Sequence, residues 1–364
     1  MMFQRYSSRC LVLITALFVS AGACPGQQTD LNVAREQAIG FLKGTQSPDG
    51  SWTKNERVGV TGLVVASLLH SGLEPNDSLV ASGLKNLLSH QKSDGGVYAE
   101  DSQHRNYETC ITVMALSAAN TDGHYDKHIQ AAETFLRGLQ WDEGEGIETS
   151  DPKWGGGGYG GHQRPDLSNT QFLVEALKSA GVKEDDPAMQ NILVFVSRTQ
   201  NLESPANDTL FAGKINDGGF YYTPAAGGDS KAGTTKNGGL RSYGSMTYAG
   251  LKSLIYAGLD ESDPRVQAAQ QWIANHYTLS ENPGMGQQGL YYYFHTFGRT
   301  MNVLGHDQFT DASGTVHDWK AELAARLISL QQPNGSWQNP ADRWYEGDPN
   351  LVTAYCLMAL SYCD

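Results

Sequence analysis

Apolar residues recur along the chain in two alternating patterns. In some segments, such as 33–46 and 316–332, they fall largely on one side of a helix. In others, such as 61–72, 170–181 and 247–258, they cover most of the circumference, and a helix of that kind is buried on most sides. The alternation predicts six amphipathic helices paired with six buried ones.

Helix-end signals agree with this division. Asp-Pro pairs at 186–187, 263–264 and 348–349 fit an N-cap followed by proline in the first turn. At the other end of the buried helices we expect a residue in the left-handed conformation, which glycine and asparagine tolerate best. The candidates are Gly72, Asn120, Gly181, Gly258 and Gly305.

A short turn motif joins the two helices of a pair. It reads QSPDGSW at 46–52 and QQPNGSW at 331–337, and weaker copies begin at Gln91, Gln140 and Gln200. Internal repeats of this period indicate a repeat architecture. The glutamine amide is suited to open backbone groups at a helix end, Asx-Gly to the reversal, and the aromatic ring to packing. We expect structural roles for Gln46, Gly50, Trp52, Gln331, Gly335 and Trp337.

Paired helices of this kind build either an open solenoid or a closed ring. An open solenoid needs a polar capping repeat, and the sequence shows none after the sixth buried helix. We therefore predict an all-α fold, an α/α toroid with six inner and six outer helices, formed as one domain by residues 24–364.

Residues 1–23 have the features of an export signal. Arg5 and Arg9 precede an apolar run that is too short to span a bilayer, and the run ends in the small residues 21–23. Cys24 follows directly and resembles a lipobox cysteine, although Ala21 stands where leucine is usual. The sequence thus predicts an exported protein, with periplasmic, secreted and lipid-anchored forms left open.

Charge and cysteine content narrow the choice of partners. The formal net charge is −13, and removing the signal makes the chain more acidic, which argues against binding nucleic acid or anionic lipid headgroups. Cys110, Cys356 and Cys363 are too few for a disulfide framework. We expect them to be buried free thiols, and nothing in the sequence predicts a cofactor or identifies a protein partner.

The Q-x-P-D-G-S-W tracts between paired helices resemble the QW repeats of squalene and terpenoid cyclases, whose toroid is shared with protein prenyltransferase β-subunits. The similarity covers essentially the whole mature chain. It implies an isoprenoid or other apolar ligand in a central cavity.

The chain departs from both groups of enzymes. It contains no D-x-D-D acid and no D-D-x-x-D motif; the nearest segment, 183–187, lies at the start of a predicted outer helix. At the positions of the prenyltransferase zinc ligands, His295 matches but Tyr243 and Ser245 replace the aspartate and cysteine. We therefore expect no metal.

Aligning the buried helices by their end signals reveals a candidate site. One register position is threonine in five of six repeats: Thr61, Thr109, Thr170, Thr247 and Thr353. The flanking positions differ between repeats, as expected for a cavity mouth at the inner-helix N-termini, where the positive dipole favours an anionic or electron-rich ligand. The candidate catalytic residues are His295, Glu108 and Asp348. The candidate ligand-binding residues are Gln171, Tyr248, Tyr291, Tyr292, Arg299, Trp344 and Glu346.

Three functions remain open at this stage. The first is a terpenoid-cyclase-like or prenyltransferase-like enzyme, since aromatic faces stabilise cations. The second is a carbohydrate-active lyase or hydrolase, in which Glu108 pairs with Glu346 or Asp348. The third is a non-catalytic binding or scaffold protein. The glycine-rich tracts 154–162 and 225–239 are candidate lids over the cavity.

Overall fold

The computed structural model describes residues 25–53, 57–161 and 164–364. The predicted export signal and Cys24 lie outside these residues. In chain order the helices are α1 (Pro25–Thr45), α2 (Arg57–His70), α3 (Ser78–Ser89), α4 (Arg105–Ala119), α5 (Asp126–Arg137), α6 (Leu167–Ser179), α7 (Pro187–Arg198), α8 (Ala212–Ile215), α9 (Gly244–Tyr256), α10 (Pro264–His276), α11 (Leu290–Leu304), α12 (Trp319–Leu330) and α13 (Pro349–Leu360).

Other regular structure is sparse in the described part of the chain. Short 3₁₀ turns span Glu143–Glu145 and Arg343–Tyr345. Two-residue strands β1 (Phe309–Thr310) and β2 (Val316–His317) pair antiparallel, with Phe309 opposite His317. The all-α prediction is confirmed.

Six helices form a closed inner ring. In order around it, α2, α4, α6, α9, α11 and α13 each pack against the next, and α13 packs back against α2. The outer helices α1, α3, α5, α7, α10 and α12 lie against this ring. The predicted alternation of outer and inner helices is therefore correct, and the inner six are buried on most sides because neighbours cover them laterally and an outer helix covers the back.

The turn motif, which connects the two helices of a pair, also contacts the outer helix of the next repeat. The side-chain amides of Gln46 and Gln331 each donate to the carbonyl of the turn glycine and to a carbonyl in the following outer helix, at 2.9–3.1 Å. Gln91, Gln140 and Gln200 make the same pair of bonds. For Gln331 the following outer helix is α1, so this contact closes the ring.

The turn glycines and tryptophans have equally specific roles. Gly50 and Gly335 adopt φ of +84° and +87°, and a Cβ on either would lie only 2.2–2.3 Å from a backbone oxygen of the next outer helix. The indole N–H groups of Trp52 and Trp337 donate to the carbonyls of Leu42 and Leu327 at 2.8 Å. Both tryptophans are fully buried, as the structural interpretation requires.

The five equivalent threonines cap the turns. Each hydroxyl accepts the backbone N–H of a turn residue at 3.0–3.2 Å.

The predicted N-caps Asp186, Asp263 and Asp348 accept N–H bonds from the first turn of their helices. The predicted glycine C-caps have positive φ, but Asn120 has φ of −87°. That prediction was wrong, because the asparagine side chain instead bonds Asp126 and the N–H of Tyr125.

Cys110, Cys356 and Cys363 are buried free thiols, as predicted. No helix in the described ranges is both long and apolar enough to cross a bilayer.

Candidate functional site

A cavity of about 320 Å³ opens where the inner helices begin. Its walls come from the N-terminal turns of all six inner helices, α2, α4, α6, α9, α11 and α13, and from the loops that lead into them. Nine of its 22 residues are tyrosine, phenylalanine or tryptophan, so aromatic side chains are the largest group in the lining. A volume of this size lies at the lower end of the range of about 300–1,000 Å³ that is usual for small-molecule sites.

The cavity contains half of the residues singled out from the sequence. Glu108, Tyr292, Trp344, Glu346 and Asp348 line it. The other candidates, Gln171, Tyr248, Tyr291, His295 and Arg299, are not part of its wall. His295 is fully buried in the barrel interior, where its ring stacks on that of the cavity residue Tyr355, and its role in ligand binding stays a prediction.

Glu346 is the most unusual acid of the lining. It is 1% exposed, and its carboxylate accepts the backbone N–H of Tyr292 at 2.7 Å and the side-chain N–H of Asn339 at 2.6 Å. Burial raises the pKa of Glu346 to about 7, although these hydrogen bonds favour the charged form. At neutral pH a substantial fraction of this carboxyl group is therefore protonated and faces an aromatic cavity.

The carboxylates of the other two acids also accept backbone N–H groups. The carboxylate of Glu108 accepts the N–H of Ala99 at 3.2 Å. Asp348 caps α13, accepting the N–H groups of Asn350 and Leu351. The inner-helix N-termini are thus matched by carboxylates of the chain itself, and their dipoles are less available to an anionic ligand than the sequence suggested.

The cavity rim includes strained backbone. Thr53, Trp344 and Tyr345 have φ between +58° and +65°, a region that costs free energy for residues other than glycine. All three residues line the cavity. Trp344 is stacked under the Arg343 guanidinium, 4.3 Å from the ring centre.

Both glycine-rich tracts reach the cavity. Tyr159 of the first and Lys231 of the second belong to its wall. Lys231 lies 4.4 Å from the centre of the Tyr222 ring and is ion-paired with Asp229. Their placement fits the position expected of lids, while lid motion itself stays a prediction.

A charged cluster lies in the barrel interior beyond the cavity wall. Lys252 of α9 is fully buried and forms an ion pair with Glu175 of α6, and its ammonium also donates to the side-chain oxygen of Gln171. Burial alone would raise the pKa of Glu175, but the charges of Lys252 and Arg299 hold it well below its usual range.

His295 belongs to this interior rather than to the cavity. Its ring stacks on Tyr355, with 5.5 Å between the ring centres, and neither of its nitrogens has a hydrogen-bond partner among the described residues. Burial lowers the pKa of His295 to about 3, so the imidazole is neutral. Tyr248 is likewise buried against the rings of Tyr293 and Phe297.

The sequence carries a signal for this cluster in the register of the inner helices. Glu175, Lys252 and Arg299 all lie five residues after the aligned threonine position of their repeats. Three consecutive inner helices therefore place a charge at the same level of the barrel. The cavity residues Ser168, Tyr222 and Tyr355 were also missed, because nothing local distinguishes them from ordinary helix-end and loop residues.

Metal binding gains no support from this arrangement. The described residues contain no group of three or more His, Cys, Asp or Glu side chains that could hold an ion. The acidic segment 183–187 leads into outer helix α7, where Asp186 acts as the N-cap, so it does not correspond to an acid of the cavity.

Residues 53–223 match the family model described as the squalene-hopene cyclase C-terminal domain. A variant of the type II terpene cyclase MstE from Scytonema, solved with its substrate geranylgeranyl dihydroxybenzoate, has a TM-score of 0.57 to this chain. The chain has the α/α toroid fold of this cyclase. The two sequences are 13% identical, and the match covers 93% of this chain and 97% of the cyclase.

Two further structures support the assignment of the toroid fold. MstE in complex with merosterolic acid A, its product, has a TM-score of 0.53 and 15% identity, covering 93% of this chain and 98% of the cyclase. A protein from Actinoplanes has a TM-score of 0.53 and 14% identity, covering 92% of this chain and 99% of that one. No curated protein sequence matches the chain. At these identities the structural likeness defines the fold.

Proposed function

We propose that this toroid binds a neutral, largely apolar molecule of the isoprenoid type in the cavity at the inner-helix N-termini. The observation that carries the proposal is the aromatic lining of a concave site in a cyclase-like barrel. Aromatic walls contribute large apolar contact areas and tolerate the branched, unsaturated chain of an isoprenoid. The solved cyclase of the same fold holds a geranylgeranyl compound, which supports this ligand class.

The charges of the site favour a neutral ligand over a diphosphate. Glu108, Glu346 and Asp348 line the cavity, whereas its one lysine, Lys231, is already paired with Asp229. A diphosphate would bring further negative charge to a wall with no free cation among the described residues. We therefore expect the alcohol or ketone form of an isoprenoid to bind more tightly than its diphosphate ester.

Binding can be measured on purified residues 24–364 by calorimetry with geranylgeraniol and with geranylgeranyl diphosphate as probes. The alcohol is expected to bind, and the diphosphate to bind at least tenfold more weakly. Met246→Trp, which fills part of the cavity, should abolish binding, while Met301→Leu, a buried substitution outside the lining, should retain it. Equal binding by the Met246→Trp protein would exclude this cavity as the site.

We also propose that the chain acts outside the cytoplasm, either free or anchored through Cys24. The supporting feature is the export signal predicted for residues 1–23. Mass spectrometry of the protein from its native host would separate the two forms. A lipid-modified cysteine at the mature N-terminus indicates an anchor, an unmodified one indicates release, and an intact Met1 contradicts export.

A second candidate function is acid-initiated chemistry on the bound molecule. Glu346 favours it, because its carboxyl group is buried in the cavity wall and its pKa is raised to about 7, a value suited to a general acid. Aromatic rings would then stabilise a cationic intermediate. This role belongs to a residue that the cyclase-type motifs do not include.

The test is product analysis after incubation with geranylgeraniol. Turnover should be highest below pH 7, should decline above it as Glu346 ionises, and should be lost in Glu346→Gln while Asp348→Asn retains it. If the wild-type protein binds geranylgeraniol but forms no product, the binding proposal stands and the catalytic proposal is wrong.

A further inference from the structure

A chain of hydrogen bonds connects the buried charges to the cavity wall. Lys252 donates to the side-chain oxygen of Gln171. The Gln171 amide nitrogen donates to the hydroxyl of Tyr292 at 3.2 Å, and that hydroxyl is 3.1 Å from the hydroxyl of Ser168. Tyr292 and Ser168 both line the cavity, whereas Gln171 and Lys252 are fully buried behind it.

The lysine fixes the direction of this chain. An ammonium group only donates hydrogen bonds, so the Gln171 side chain must turn its oxygen towards Lys252 and its NH₂ towards Tyr292. Glu175 holds Lys252 in place through a buried ion pair. The orientation of the Gln171 amide, which diffraction data rarely distinguish, is therefore determined by charge.

This orientation determines what the two hydroxyls can do. The oxygen of Tyr292 is an acceptor for Gln171, so Tyr292 cannot donate its proton in that direction. Tyr292 and Ser168 share one hydrogen bond, which uses one of their two protons. No other acceptor among the described residues lies within hydrogen-bonding distance of either hydroxyl. One hydroxyl proton is consequently left to face the cavity.

We infer that the Ser168–Tyr292 pair is an oriented hydrogen-bond donor that selects a ligand bearing an acceptor oxygen, such as a ketone, ester or ether, on its apolar chain. This inference rests on the proposed function and specifies its ligand class as an oxygenated isoprenoid. The ring and the backbone of Tyr292 are fixed in position by their neighbours. Its ring lies 6.3 Å from that of Phe172 and 5.9 Å from that of Tyr355, centre to centre, and its backbone N–H is bonded to Glu346.

The experiment compares two probes of the same shape, farnesylacetone and the hydrocarbon in which its carbonyl is replaced by a methylene. Wild-type protein should bind the ketone about tenfold more tightly, the factor expected for one added hydrogen bond. The double variant Ser168→Ala/Tyr292→Phe should lose this preference and keep its affinity for the hydrocarbon. Ser168→Ala alone should retain the preference, because the proton of Tyr292 is then free to face the ligand.

A remote variant tests the role of the charges. Replacing the ion pair as a whole, in Glu175→Leu/Lys252→Met, avoids leaving an unpaired buried charge. The Gln171 amide can then reverse and accept the proton of Tyr292, so the preference for the ketone should fall towards unity although no cavity residue has changed. Retention of the full preference in this folded variant would refute the orienting role of Lys252.

The outcomes separate the two proposals. If neither probe binds, the proposed function fails. If both bind the wild-type protein equally, the cavity binds apolar molecules and the inference about the donor pair is wrong. If the Ser168→Ala/Tyr292→Phe protein does not fold, the remote variant and Ser168→Ala still decide the question.

Discussion

Neighbouring positions on the inner helices have opposite roles. The aligned threonines, for example Thr170 and Thr247, cap the turns of their own repeats. The residues that directly follow them, Gln171 and Tyr248, are turned into the barrel and contact other inner helices instead. Where a residue satisfies local backbone, the repeat preserves it; where it faces the barrel interior, each repeat carries a different side chain.

We expect the largest loss of stability from a substitution in the repeated turn motif. Trp337→Ala removes a fully buried indole and its hydrogen bond to Leu327, and we expect a loss of about 3–5 kcal/mol in the free energy of unfolding. Trp344→Ala is the matched control, because Trp344 is 40% exposed at the cavity rim and its removal should cost much less. Urea unfolding would measure both, and equal losses would contradict the structural role of the motif.

Glu346 is a cavity residue without an equivalent in the other repeats, and it can be tested through the pH dependence of stability. Its pKa is raised to about 7 in the folded protein, so the folded state keeps the proton up to a higher pH than the unfolded state does. The contribution of this group to the free energy of unfolding is fully present below about pH 4.5 and is lost as pH rises to about 7, a change of roughly 3 kcal/mol. Unfolding free energies of wild-type and Glu346→Gln protein, measured from pH 4.5 to 8, should diverge by this amount. A constant difference between them would show that the pKa is not raised.

Two glycines with the same backbone conformation separate repeat packing from helix capping. Gly155 and Gly181 have φ of +81° and +86°. A Cβ on Gly155 would lie 1.7 Å from the carbonyl oxygen of Asn191 in the next outer helix, whereas a Cβ on Gly181 would meet nothing within 4 Å. Both substitutions to alanine carry the left-handed penalty, so Gly155→Ala should cost about 1–3 kcal/mol more than Gly181→Ala. Similar melting temperatures for the two variants would mean that the turn does not pack as described.

The smallest effect is expected at the ring closure. Gln331→Ala removes two bonds, to Ala34 and to Gly335, and should cost about 1–2 kcal/mol. Gln338, which bonds only the nearby carbonyl of Gly347, provides the control. Hydrogen exchange should show the loss in α1, the partner across the closure. Faster exchange confined to the 331–337 turn would contradict the bridging role.

The fold could be predicted from the sequence because the signals of the repeat are local. Turn glycines, aspartate N-caps and the periodicity of apolar residues each follow from the conformation of a few consecutive residues. Asn120 shows the limit of such signals, since asparagine has a side chain that can satisfy the backbone without adopting a left-handed conformation.

The site was only partly predictable, because a cavity is formed by residues far apart in sequence. Glu346 and Tyr292 were predicted because they lie near the inner-helix N-termini, but the sequence did not show that the Glu346 carboxylate accepts the backbone N–H of Tyr292 at the start of α11. The Lys252–Glu175 pair was not predicted, because an ion pair between two helices depends on their packing, although the common register of the two charges is visible in the alignment.

The ring closure also determines how this chain can fold. Arg35 of α1 donates to the Leu360 carbonyl and to the Asp364 side chain, contacts that span more than 320 residues, and Gln331 adds its bond to α1. A linear array of helix pairs can grow from any nucleus by adding neighbours, whereas here the contacts of α1 have to wait for the last repeat. Closing so long a loop carries a large entropic cost and slows folding. Although every helix forms locally, the refolding rate of this all-α protein should therefore be limited by the meeting of its first and last repeats.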